Sequence, residues 1–206
     1  MKQAYNQGMV TVAESELPLT LIAPGLTDAQ FQEFCQQYAD YRLEYTAEGE
    51  LIIMPPTDSE TSSRNAEITF QLKDWARTSR LGIVTDSSGG FVLPNGARRS
   101  PDAAWGSRER FRRGRPPGLG GWRMCPEFVI ELILPYDRLK EIRAKMLEWI
   151  ANGAELGWMV NPRNKSVTIY RPRQDPEVRT GIDVVAGEGP VAGFVMDLRP
   201  IWNPMD

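Results

Sequence analysis

The sequence contains no histidine, and that absence closes more possibilities than any other feature of its 206 residues. Without imidazole there is no Ser-His-Asp or Cys-His catalysis, no HNH-type chemistry and no His-bearing zinc site. Cysteine is nearly absent too. Cys35 and Cys125 are the two present, and no CxxC spacing occurs. Two thiols cannot close a structural zinc site, and free thiols fit a reducing cytoplasm better than a disulfide scaffold. No stretch approaches the ~20 apolar residues that span a bilayer. The N-terminus lacks an apolar h-region, so neither a membrane span nor a secretory signal is expected, and the expected location is cytoplasmic. Excess positive charge is missing as well: the net charge is −3 and the pI about 5.2. That argues against a protein coating nucleic acid with its whole surface, while leaving room for a local basic patch. Carboxylates, lysine and a hard cation are what remain for catalysis.

What is present is ordinary for a globular chain: 41% hydrophobic and 25% charged residues. Residues 1–17 show no periodicity and are expected to form a flexible N-terminal arm; 18–206 are expected to form a single domain. Thr27-Asp28-Ala29-Gln30 is a capping box that predicts a helix to about Tyr38. Strands are expected over 41–45 and 50–54, then a long helix over 60–80 with Ile68, Leu72 and Trp75 at helical spacing. Short strands follow at 81–85 and 91–93. Pro94-Asn95-Gly96 is a tight-turn signal. It predicts a returning strand over 99–105 with Asp102 at its centre. Residues 108–121, rich in Arg, Gly and Pro, read as an exposed loop. A strand over 128–134, a helix over 138–152 ending at Gly153, and strands at 156–160, 166–170, about 182–185 and 194–198 complete the pattern. Helices and hairpin-joined strands together predict an α/β protein with a central mixed sheet flanked by helices.

The chemistry concentrates in three places. Glu131 lies inside the apolar run Phe128-Val129-Ile130-Glu131-Leu132-Ile133-Leu134. Such a run reads as a strand buried on both faces, where a charge is costly unless paired or coordinated. Asp102 lies 29 residues upstream in Ser100-Pro101-Asp102-Ala103-Ala104-Trp105. Two carboxylates projecting from neighbouring strands would repel, and Mg²⁺ or Mn²⁺ turns that repulsion into attraction. On this reading Glu131→Gln should leave the apo protein as stable or more stable. Lys145 flanks the apolar stripe Ile142, Met146, Trp149, Ile150, from which its stem can reach inward. Two acids, a lysine and a divalent cation are the parts of a phosphodiesterase site. Arg110, Arg112 and Arg113, within the arginine-rich segment, are candidate phosphate contacts.

These same residues carry a resemblance. Leu93-Pro94-Asn95-Gly96, Arg99-Ser100-Pro101-Asp102-Ala103-Ala104-Trp105, Pro126-Glu127-Phe128-Val129-Ile130-Glu131-Leu132 and the stretch Lys145 to Trp158 resemble the Uma-two family of endonucleases, within the PD-(D/E)xK nuclease superfamily. The resemblance covers about residues 10–203. It implies a restriction-endonuclease-like core, a Mg²⁺ or Mn²⁺ cofactor, and Asp102 and Glu131 as metal ligands. It also implies a nucleic-acid substrate, expected to be DNA, and allows a homodimer. The superfamily's lysine two residues after the second acid is replaced here by Ile133, which points to Lys145 on the next helix. An assisting acid on the first core helix would be Glu67, with Glu60 the weaker candidate, and Asn65, nearer the apolar stripe, could contribute a polar contact instead. The rival reading is a catalytically silent nuclease-fold module that binds or regulates.

Overall fold

Thr27 and Gln30 satisfy each other at the head of the first helix, α1 (Asp28–Gln37). The Thr27 hydroxyl accepts the Gln30 N–H at 3.3 Å, and the Gln30 side chain accepts the Thr27 N–H at 3.0 Å. The computed structural model describes residues 17–116 and 121–205. Residues 1–16 of the expected arm, and 117–120 of the expected arginine loop, lie outside them. The chain divides into two compact units, 1–56 and 57–206.

In the first unit, β1 (Leu19–Ile22), β2 (Arg42–Tyr45) and β3 (Glu50–Met54) pair antiparallel, with β3 hydrogen-bonded to both others. Gly49 closes the β2–β3 turn at φ +89°, a conformation that disfavours a side chain.

The second unit opens with α2 (Ser59–Ser79), capped by Asp58 and ended by Arg80 in the left-handed region at φ 53°. The hydrogen bonds from the Thr61 N–H and hydroxyl hold the Asp58 carboxyl below its ordinary range. Next come β4 (Gly82–Asp86), the short hairpin β5 (Phe91–Val92) and β6 (Arg98–Arg99), then β7 (Ala103–Ser107) and α3 (Arg108–Arg113). They are followed by β8 (Phe128–Leu132), α4 (Leu139–Ala151), β9 (Leu156–Asn161), β10 (Ser166–Tyr170) and β11 (Glu177–Thr180). The chain closes with β12 (Val184–Ala186), β13 (Val195–Asp197) and α5 (Arg199–Trp202). The main sheet runs β11-β10-β9-β8-β7-β4. Its β8–β9 pair is parallel, bridged by α4; the other pairs are antiparallel. That is the mixed sheet flanked by helices which the sequence predicts.

Alternation along β8 sorts the apolar side chains into two cores. Phe128, Ile130 and Leu132 pack with Ile68, Leu72 and Ala76 of α2, and with Phe194, Met196, Leu198 and Ile201 from the chain's end. Val129 and Ile133 pack on the opposite face with Met146 and Trp149 of α4 and with Phe91 and Cys125. Glu131 shares the parity of Val129 and Ile133, so its carboxylate faces α4. Burial pushes the Cys125 thiol up to about 12, so it behaves as a packing group rather than a nucleophile.

Two expectations fail here. Residues 108–113 form a helix rather than a loop, because the Ser107 hydroxyl caps it by accepting the Arg110 N–H at 3.2 Å and Phe111 buries its ring. The expected strand over 99–105 is broken. β6 and β7 are separate, and Asp102 lies in a bend between them. Pro101 has no N–H to donate to a ladder, which favours a break at that point. The exposed strand β11, whose sequence is mostly polar, has no apolar alternation and no sequence signal.

Candidate active site

The register of the antiparallel pair β7–β8 matches Ala103 with Ile130. One step further, Asp102 falls opposite Glu131, but the ladder stops there. The Asp102 side chain takes the place of a strand partner: its Oδ2 accepts the buried Leu132 N–H at 2.7 Å. Asp102 is thus fixed against β8 one residue beyond Glu131. Both are buried, each 3% exposed.

Glu131 is held from α4. Lys145 Nζ lies 2.9 Å from its Oε1 and donates to Oε2 at 3.0 Å. The Trp149 indole N–H donates to Oε1 at 2.8 Å. Lys145 and Trp149 are four residues apart and therefore share a helix face. Lys145 Nζ also donates to the Ser100 carbonyl at 3.3 Å. One ammonium thereby ties the segment before Asp102 to the carboxylate of Glu131. Lys145 is itself buried, an orientation that only a carboxylate partner makes tolerable.

On α2, Asn65 is the residue that reaches this place. Its Nδ2 lies 3.5 Å from Asp102 Oδ1, at the limit of a hydrogen bond, and its Oδ1 is buried with no partner. Glu67 does not join it. The Glu67 carboxylate accepts Gln71 Nε2 at 2.8 Å. Gln71 in turn clamps the Asp197 backbone in both directions, at 2.9 and 2.7 Å. Glu67 therefore serves the packing of β13 on α2, and the assisting role expected of it is not supported by its position. The helical wheel is the reason: Glu67 is two residues round from Asn65, on a different face.

Among the described residues no three His, Cys, Asp or Glu side chains gather into one group. The oxygens that could hold a metal here are those of the two carboxylates plus neutral oxygens. The unpartnered Asn65 Oδ1 is such an oxygen, and an all-oxygen set suits Mg²⁺ or Mn²⁺ rather than a thiophilic ion.

The arginines divide. Arg110 is engaged within the protein: it donates to the carbonyls of Cys125 (3.0 Å) and Gly153 (2.9 Å) and pairs with Glu127 (3.1 Å) and Glu155 (3.0 Å). Glu127 is buried and also accepts the Ser107 N–H at 3.0 Å. Arg110 is thus the tie between α3 and the starts of β8 and β9, a structural engagement of the arginine expected to contact nucleic acid. Arg113 pairs with Glu109 one turn back, and Arg112 is exposed. Arg110→Gln is expected to cost the fold about 1–3 kcal/mol by stranding Glu127, read as a lower melting temperature. The salt dependence of any DNA binding should stay unchanged.

Trp149, which the sequence places in the apolar stripe of α4, and the Ser100 carbonyl are further contacts of the site. The spacing of Trp149 from Lys145 was the available signal, but an apolar stripe gives a tryptophan there a sufficient reason of its own.

A mixed sheet with α2 on one face and α4 on the other, two acids at the β7–β8 junction and a lysine on α4, defines a restriction-endonuclease-like fold. The chain belongs to the Uma2 family, whose model carries the description "Putative restriction endonuclease" and matches residues 28–199. Its fold is similar to that of a crystal structure from Anabaena variabilis ATCC 29413, described as a "putative nuclease belonging to DUF820". The two align with a TM-score of 0.65 and 19% identity, over 78% of this chain and 89% of the other. No curated protein matches the sequence. No helix among the described residues is long and apolar enough to cross a membrane.

Proposed function

We propose that this chain is a Mg²⁺- or Mn²⁺-dependent endonuclease that hydrolyses phosphodiester bonds of DNA. The observation that carries this reading is the arrival of Lys145, from α4, at the carboxylate of Glu131 beside Asp102. Ile133 occupies the usual in-strand lysine position, so the ammonium comes from elsewhere in the chain to the same acid. Family membership supports the nuclease class. The all-oxygen donor set supports the hard cation.

Asp102 and Glu131 would hold the metal, with Asn65 Oδ1 as a third oxygen. A divalent cation so placed activates water and offsets charge on a phosphate oxygen. The residues divide the remaining work. Leu132 N–H fixes the rotamer of Asp102. Trp149 N–H fixes one oxygen of Glu131. Lys145 supplies positive charge for the scissile phosphate next to both acids. Of the α3 arginines, Arg112 and Arg113 are exposed, Arg113 paired with Glu109, and they remain candidate phosphate contacts.

One observation favours the silent-module reading: Lys145 is engaged by both oxygens of Glu131 and by Ser100. A catalytic lysine must exchange part of that pairing for substrate, whereas a structural one never does. A metal titration separates the two. Mn²⁺ at 100 times its Kd should stabilise the native protein by about 2.7 kcal/mol, and plasmid nicking should appear over the same concentration range. A melting temperature unmoved by millimolar Mn²⁺, with intact plasmid, would favour the silent module.

A further inference from the structure

A cleft of about 380 Å³ opens between the first turns of α2 and the ends of β8 and β9. Leu132 and Ile133 line it, and so do Arg64 of α2 and Arg163 of the β9–β10 turn. Leu132 is the residue whose N–H binds Asp102, and Arg64 precedes Asn65. The cleft is thus one residue removed from the candidate site along both walls. It also lies at the C-terminal end of the parallel strand pair, where α/β sheets commonly take ligands.

Its charges are unequally spent. Asp58 caps α2, accepting the Thr61 N–H at 2.9 Å and the Thr61 hydroxyl at 2.7 Å. Glu60 pairs with Arg64 Nη2 at 2.6 Å, while Arg64 Nε donates to the Ile201 carbonyl at 2.8 Å. Arg163 is different. Its Nη2 donates to the carbonyls of Leu134 (3.0 Å) and Pro135, and among the described residues it has no carboxylate partner. Neutral carbonyls hold the guanidinium in place without cancelling its charge. The result is an oriented guanidinium, without a carboxylate partner among the described residues, at a cleft lined by the two residues that follow Glu131.

We propose that this cleft seats the nucleic-acid backbone next to the scissile phosphate, with Arg163 contacting a phosphodiester oxygen and Arg64 lining the opposite wall. The inference rests on the phosphodiesterase reading above and moves the principal phosphate contact from the arginine-rich segment to the β9–β10 turn.

The test is binding of a fluorescent DNA duplex, followed by anisotropy across a KCl series in EDTA, so that nothing is cleaved. Each phosphate contact contributes about −0.9 to the slope of log affinity against log salt, or roughly eightfold in affinity at 0.1 M. Arg163→Gln is expected to lose about that much of both. Arg163→Lys keeps the charge and should retain most of the slope, which separates phosphate contact from loss of the local carbonyl bonds. If the wild type binds and nicks DNA while Arg163→Gln shows the wild-type affinity and slope, the cleft assignment is wrong and the nuclease reading stands. Equal losses in Arg163→Gln and Arg163→Lys would also overturn it, by showing the effect to be structural. If the wild type binds no DNA at any salt concentration and nicks none, both readings fail together.

Discussion

Lys145→Ala should both abolish cleavage and damage the fold. The lysine neutralises a carboxylate that is almost wholly enclosed, and removing one member of a buried pair leaves the other uncompensated, at a cost of about 3–5 kcal/mol. For a chain of this size that lowers the melting temperature by roughly 6–20 °C. The same geometry revises the expectation for Glu131→Gln. Read from sequence, Glu131 faces only the repulsion of Asp102, and neutralising it should cost nothing. In the structure Glu131 accepts from Lys145 and Trp149. A glutamine would turn an N–H toward one of these donors, so this variant too should melt lower than wild type. The decisive comparison is the double variant Glu131→Gln/Lys145→Met, which removes both charges. It should melt well above Lys145→Ala, since an uncharged replacement of a buried pair is often neutral or stabilising, yet remain without activity. A double variant no more stable than Lys145→Ala would mean that the pair does not contribute as described.

Asp102 should behave in the opposite way, with function lost and fold kept. Asp102→Asn retains an oxygen that can accept the Leu132 N–H, so its melting temperature in EDTA should stay close to wild type. The rise in melting temperature on adding Mn²⁺ should disappear. Cleavage should drop by more than about 100-fold, since even outer-shell partners of a metal are worth 10–100-fold. Asp102→Ala removes the acceptor altogether and leaves a buried N–H unsatisfied, costing about 1–3 kcal/mol as well. Differential scanning fluorimetry with and without Mn²⁺ reads both quantities. An Asp102→Asn protein with an undiminished Mn²⁺ shift would remove Asp102 from the proposed metal site.

Where local chemistry decided the outcome, the sequence was sufficient. Thr27 with Gln30, the Ile68–Leu72 spacing, the run around Glu131 and the turn at Asn95-Gly96 each state a preference that their own neighbours satisfy, and the corresponding elements form. The absence of histidine likewise excludes imidazole chemistry from the sequence alone. Glu131 was legible because a charge in a doubly buried strand demands a partner, whatever the fold.

The identity of that partner was a tertiary matter. Lys145 and Trp149 reach Glu131 because β8 turns its odd-numbered residues toward α4, and the parallel crossover lays α4 across that face. Asn65 rather than Glu67 meets Asp102 because of the rotation of α2, which its packing on β4, β7 and the chain's end sets. Arg110 reads as a surface cation until α3 folds and brings four acceptors from distant segments around one guanidinium. The cleft between α2 and the β9–β10 turn has no sequence signature at all, since Arg64 and Arg163 are 99 residues apart. Local preference specifies which groups are costly to bury or easy to cap. Only the packing of one element on another, which minimises exposed apolar area and unpaired polar groups together, decides which of them meet.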